Sequence, residues 1–185
     1  MKKLASKEYI AELNDLHQKN NVFGAGAVTK KHYPKIEKII EKGNIKSVLD
    51  YGCGKGDLIK HLNKTFQNLE IDGFDIATEQ YAELKPRRYD LVVALDVLEH
   101  IEFGLLTNVL SEIRVRTNSI FLCSIANYPA GKTLSDGRNA HLIQIPFGNW
   151  FSILSCFFQV NQFLRTGLQE GLFICTKLNN TSDWR

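Results

Sequence analysis

In the stretch "KSVLDYGCGKGDLIKHL" (46–62), Asp50 ends an apolar run and is followed by glycines at positions 52, 54 and 56. Two further acids hold matching places. Asp75 closes on "LEIDGFDI" (69–76), and Asp96 ends "YDLVVALD" (89–96), with Glu99 and His100 just after it in "DVLEH". Carboxylates beside bare backbone suit a ligand that carries positive charge or hydroxyl groups, and they repel phosphates. A histidine has an unperturbed pKa near neutrality, so His100 is suited to exchanging a proton with a reacting group. Asp96, Glu99, His100 and the later His141 also offer the oxygens and imidazole nitrogens of a divalent-ion site. Competing with both uses is a purely structural one, in which Glu99 or His100 caps the turn that begins a helix.

Acids at the ends of apolar runs form one site only if the runs share a sheet. "KSVLDY" (46–51), "LEIDGFDI", "YDLVVALD" and "SIFLCSIAN" (119–127) are short and close to continuously apolar, as strands of a sheet covered on both faces are. Helical spacing appears in "SKEYIAELNDLHQK" (6–19), with Tyr9, Leu13 and Leu16 on one stripe and Ser6 as N-cap. It appears again in "YPKIEKIIEKG" (33–43), where Pro34 suits a first turn and Gly43 a stop. "DLIKHLNKTF" (57–66), an unbroken "VLEHIEFGLLTNVLSEIRVR" (97–116) and "NWFSILSCFF" (149–158) read as further helices. "QVNQFLRT" and "GLFICTKL" read as an antiparallel pair at the sheet edge.

Strands alternating with helices predict an α/β chain with a single doubly wound, mostly parallel sheet and an antiparallel C-terminal edge strand. Ligands of such sheets bind at the carboxyl ends of the strands, where the acids stand. The expected organisation is one domain over residues 1–185. Residues 1–45 form a helical cap, 46–127 the ligand-binding core, 128–149 a loop and 150–185 a terminal helix and strand pair.

The chain carries a formal charge of +3, unevenly spread. Residues 1–46 hold ten lysines and five acids, and the remainder thirteen basic and fifteen acidic residues. A solvated basic helix accounts for that asymmetry as well as an anionic partner does. Cys53, Cys123, Cys156 and Cys175 are too far apart for a metal knuckle and read as reduced thiols. The N-terminus has no apolar h-region, and no run approaches the ~20 apolar residues of a membrane span. The expectation is a cytoplasmic chain without a membrane partner, monomeric or homodimeric.

Strand, Gly-x-Gly-x-Gly and helix have two nucleotide-binding competitors. A dinucleotide fingerprint needs a third glycine where Asp57 stands, and a P-loop needs Ser or Thr after Lys55, where Gly56 stands. Both fail. "VLDYGCGKG" instead resembles the first motif of class I S-adenosylmethionine-dependent methyltransferases. "GFDIA" and "YDLVVALDVLEHI" are similar to the acid-bearing second-strand end and the fourth-strand motif of the family's small-molecule branch.

The resemblance implies a Rossmann-like fold with S-adenosylmethionine as cofactor and S-adenosylhomocysteine as product. It implies cofactor contacts from Asp50, Tyr51, Gly52, Cys53, Gly54, Asp75, Ile76, Leu95 and Asp96. Asp75 would take the ribose, Ile76 the adenine and Asp96 the neighbourhood of the sulfonium. Only 13 residues separate Asp75 from Tyr89, so the family's third strand is expected to be short or missing. The four groups Asp96, Glu99, His100 and His141 also resemble the metal set of methylases acting on small-RNA 3′ ends. Here an Asp holds the first place and the last His comes sooner. Metal is the minority reading beside a metal-free site.

On the acceptor side, His100 and His141 are the candidate catalytic bases, and Asn127, Arg138, Asn139 and His141 the candidate substrate contacts. Arg138 could pair with a carboxylate or phosphate, or be a solvated surface group. "FGAG" (23–26) could be a lid hinge or a plain turn, and Trp184 is expected to belong to a frayed tail. The expected reaction is in-line methyl transfer to a small polar or anionic acceptor. Methylation of RNA, possible with the basic N-terminal segment, and a non-catalytic cofactor-binding module are the alternatives.

Overall fold

The computed structural model describes residues 3–19 and 29–178. The FGAG segment and Trp184 lie outside the described residues. Helix α1 (Lys7–Lys19) comes first. A 3-10 turn, Thr29–His32, leads into α2 (Tyr33–Lys42). Strand β1 (Ser47–Tyr51), α3 (Asp57–Thr65), β2 (Glu70–Phe74) and β3 (Tyr89–Leu95) follow. Then come α4 (Leu106–Arg116), β4 (Thr117–Ala126), α5 (Phe147–Ser155), β5 (Phe158–Arg165) and β6 (Glu170–Lys177).

The six strands form one sheet in the order β2-β1-β3-β4-β6-β5. The β2–β1, β1–β3 and β3–β4 pairs are parallel, and β4–β6 and β6–β5 are antiparallel. Alternation along the strands divides the core between two faces. Leu49, Val92 and Ala94 pack with α4 and α5, while Val48, Leu91 and Val93 pack with α2 and α3. Burial on both faces explains why the central strands read as unbroken apolar runs.

Two differences from the sequence reading bear on the site. Between β2 and β3 the chain makes only the 3-10 turn Glu79–Tyr81, so among the described residues β2 is a sheet edge with no strand outside it. The helix expected over 97–116 is broken. Leu98–His100 and Phe103–Leu105 are separate 3-10 turns, with Ile101 and Glu102 extended between them. That break leaves the His100 carbonyl to accept the Tyr9 hydroxyl at 2.5 Å and the Glu102 carboxylate to accept the Ser6 N–H at 2.6 Å. Helical spacing carries across the interruption, but the His100 carbonyl, which a continuous helix would bond internally, is taken by Tyr9 of α1.

Candidate active site

The chain winds from β1 toward β2 on one side and β3 on the other, so the crevice at the carboxyl ends of β1 and β3 is the sheet's switch point. Gly52, Gly54 and Gly56 all adopt positive φ there. A Cβ on Gly52 would stand 2.4 Å from a Val97 methyl carbon, so the turn excludes any side chain at that position. The amides of Gly52 and Cys53 both donate to the Phe74 carbonyl, at 2.7 and 3.1 Å. Asp75 completes the fastening. Its two carboxylate oxygens accept the Gly54 and Ala77 amides, each at 2.9 Å.

Asp50 lies buried behind this turn, and burial together with the nearby Asp75 charge pushes its carboxyl up to about 7. It therefore holds its charge poorly until a cation arrives to compensate it. At the end of β3 Asp96 takes a left-handed backbone, φ +54. Ser124 holds it there: the Asp96 amide donates to Ser124 Oγ at 2.9 Å, and that hydroxyl donates back to Asp96 Oδ1 at 2.6 Å. Glu99 is fully buried, with Oε1 accepting the Ala126 amide at 2.7 Å. Desolvation first, then the Asp96 charge, raises its carboxyl far above the carboxylate range.

His100 and His141 meet edge to face, their ring centroids 4.7 Å apart. His100 Nδ1 lies 2.7 Å from the Ala140 carbonyl and His141 Nδ1 2.5 Å from the Tyr128 carbonyl. A carbonyl only accepts, so Nδ1 carries the proton in each ring and Nε2 keeps the lone pair of the neutral form. Burial, then the neighbouring His141, pushes His100 down to about 4, and it stays neutral at ordinary pH.

One cavity of about 470 Å³ joins these groups. The nine residues expected to contact a cofactor all line it: Asp50, Tyr51, Gly52, Cys53 and Gly54 on one side, Asp75, Ile76, Leu95 and Asp96 on the other. His100 and His141 line it as well. Among its described lining residues the carboxylates are Asp50, Asp57, Asp75, Asp96 and Glu102, and Lys132 is the single Lys or Arg. That donor set favours a ligand with cationic groups and hydroxyls, and opposes a pyrophosphate.

The remaining substrate candidates are placed elsewhere. Arg138 does not line the cavity: it is half-exposed and bound to Asp136 at 2.6 and 2.7 Å, with its guanidinium 5.7 Å from the Tyr9 ring. Asn139 staples its loop by accepting the Ala130 and His141 amides and donating to the Ala130 carbonyl. Asn127 also lies off the lining, its amide donating to the Gln169 carbonyl. Among the described residues no group of three or more His, Cys, Asp or Glu side chains is arranged to hold a metal ion. In the set Asp96, Glu99, His100 and His141, Asp96 Oδ1 accepts the Ser124 hydroxyl, Glu99 Oε1 accepts the Ala126 amide, and each ring meets a carbonyl through Nδ1.

Among the wall residues that sequence reasoning missed, three bring rings or a long apolar chain from outside the core strands. Tyr9 and Leu13 reach the cavity from α1 and Tyr128 from the loop after β4. Their only signal was apolar helical spacing and a loop aromatic, which do not specify a cavity.

A family model described as a methyltransferase domain matches residues 4–162. No curated protein matches the chain in sequence. Among solved structures, the chain is similar to a Burkholderia thailandensis 1,6-didemethyltoxoflavin-N1-methyltransferase with bound 1,6-didemethyltoxoflavin and S-adenosylhomocysteine. The TM-score is 0.70 at 18% identity, covering 97% of this chain and 93% of that one. The magnesium protoporphyrin IX methyltransferase of Synechocystis, with bound SAM, gives 0.65 at 16% identity, covering 95% and 100%. The 16S rRNA methylase ArmA gives 0.53 at 16% identity, covering 90% and 91%. At these identities the likeness is one of fold.

Proposed function

The chain belongs to the methyltransferase-domain family, and on that premise we propose that it transfers a methyl group from S-adenosylmethionine to a small, anionic acceptor. One observation carries the reading: a single cavity at the switch point has carboxylates around its glycine turn and two imidazoles, His100 and His141, with Lys132 on its other wall. The donor set fits the cofactor, whose ammonium, sulfonium and ribose hydroxyls suit carboxylates, and the two solved methyltransferases with bound SAM or S-adenosylhomocysteine support the same assignment. Bound S-adenosylmethionine supplies an electrophilic methyl group on a sulfonium, which leaves as neutral S-adenosylhomocysteine.

The chain's residues do the rest. Asp50 and the glycine turn seat the charged methionyl end. Asp75 shapes the turn and offers its carboxylate edge to the ribose, Ile76 packs on adenine, and Tyr51, Cys53, Leu95 and Asp96 close the walls around the sulfonium. The apolar wall from α1 excludes water, so nucleophile and methyl meet in line. Lys132 draws in the anionic group of the acceptor. His141 takes the proton of the attacking hydroxyl or amine on Nε2. His100 packs against it and, with its pKa pushed to about 4, is too weak a base for that step.

Calorimetry with S-adenosylmethionine, followed by incubation of the protein with radiolabelled cofactor and fractionated cell extract, tests this. Binding and uptake of label into a small-molecule fraction are expected; absence of binding would sink the reading. Label in none of the fractions despite binding would point to a non-catalytic module. RNA methylation is the second reading, favoured by the exposed Lys30, Lys31, Lys38 and Lys42 before and along α2 and by the fold likeness to an rRNA methylase. Electrophoretic shifts of mixed RNA that persist at about 200 mM salt would select it, since phosphate contacts weaken steeply with salt.

A further inference from the structure

At the rim of the cavity three distant segments are tied through one side chain. The Tyr128 hydroxyl donates to Glu170 Oε1 at 3.1 Å. Glu170, the first residue of β6, is ion-paired through Oε2 with Lys31 from the turn before α2. Burial works against the Glu170 charge, yet the bonds from Lys31 and Tyr128 keep its carboxyl below the usual range. Tyr128 is held at its other end as well, because its carbonyl receives His141 Nδ1–H at 2.5 Å. Its ring stands edge-on to the His141 ring with centroids 5.6 Å apart.

We infer that Tyr128, braced by Glu170 and Lys31, is the positioning residue that fixes the tautomer and direction of His141 in the cavity. This rests on the reading of His141 as the proton acceptor. A tyrosine held only by its backbone could swing its carbonyl away from Nδ1. Anchoring the hydroxyl 42 residues along the chain at Glu170 removes that freedom, so the Nδ1–H form stays and Nε2 keeps its lone pair toward the acceptor. Lys31 holds the carboxylate in place and links the N-terminal segment to the same support.

The test is long-range proton–nitrogen NMR on full-length protein labelled with nitrogen-15 in its histidines, with His141 assigned by the signals missing from His141→Gln. Wild type should show His141 in the Nδ1–H form, with slow exchange of that proton. Tyr128→Phe and Glu170→Ala should each populate the second tautomer and speed exchange at least about tenfold. The affinity of Glu170→Ala for S-adenosylmethionine should stay within about twofold, as Glu170 lies off the cavity lining. Glu170→Gln, which still offers an oxygen to the tyrosine, should restore the wild-type spectrum. An unchanged His141 signature in both Tyr128→Phe and Glu170→Ala would overturn the inference. Failure of the parent reading would show separately, as undiminished label transfer by His141→Ala.

Discussion

The two halves of the cavity handle protons in opposite ways and are built from opposite materials. Around the glycine turn, burial lifts the Asp50 carboxyl to about 7, leaving a charge that waits for a cation. On the other wall, burial pushes His100 down to about 4 and leaves its ring neutral. The cofactor half is held by shorter ties, Gly52 to Phe74, Gly54 to Asp75 and Asp96 to Ser124, the longest of which spans 28 residues. The acceptor half depends on ties such as His100 to Ala140 and Tyr128 to Glu170, which bridge 40 and 42 residues. The half proposed to hold the cofactor rests on shorter-range ties, while the half proposed to meet the acceptor is braced from farther across the fold.

Breaking the two halves separately should give separable losses. His141→Ala should lower label transfer by about 100-fold or more, the usual weight of a positioned base, with cofactor affinity kept. Full turnover would erase the proposed division of labour. Asp75→Ala should do the reverse, weakening S-adenosylmethionine binding by at least about tenfold, or ~1.4 kcal/mol, in a titration. Undiminished affinity would remove Asp75 from the cofactor half. His100→Gln sharpens the contrast within the acceptor half, since a ring with pKa near 4 is a packing partner; a fall in turnover of only a few-fold is expected.

Cofactor binding should also depend on pH. Binding a cation favours the Asp50 carboxylate, so complex formation releases a proton below pH 7. Affinity should therefore rise as pH increases toward about 7, by no more than about tenfold per unit, and level off above it. Asp50→Asn should flatten that slope, and calorimetry in buffers of different ionisation enthalpy would detect the proton. The smallest expected effect is that of a chelator, which should leave label transfer unchanged. Loss of transfer would return the metal reading of Asp96, Glu99, His100 and His141.

Much of the first half was legible because its signals are local. The Gly-x-Gly-x-Gly spacing, the acids at strand ends and the apolar runs located β1 to β4 closely, and the short interval after Asp75 announced the missing third strand. The second half was not, for two physical reasons. Local pairs compete for side chains that look free in a sequence: Asp136 takes Arg138, and Asn139 spends its amide on its own loop. Tertiary contacts also override periodicity. Between Leu98 and Leu105 the pattern reads as helix, but the contacts of Tyr9 and Ser6 with His100 and Glu102 stop it.

The absent third strand has a consequence beyond the cavity. β2 is left with one flank of amide and carbonyl groups unclaimed by a neighbouring strand, the sort of border on which chains stack into aggregates. It is only five residues long and carries Glu70, paired with Arg87 at 2.5 Å, and Asp72, paired with Lys85 at 2.5 Å. Another polypeptide arriving in register would have to strip those ion pairs, so the same shortening that simplifies the fold also supplies its protection against sticking.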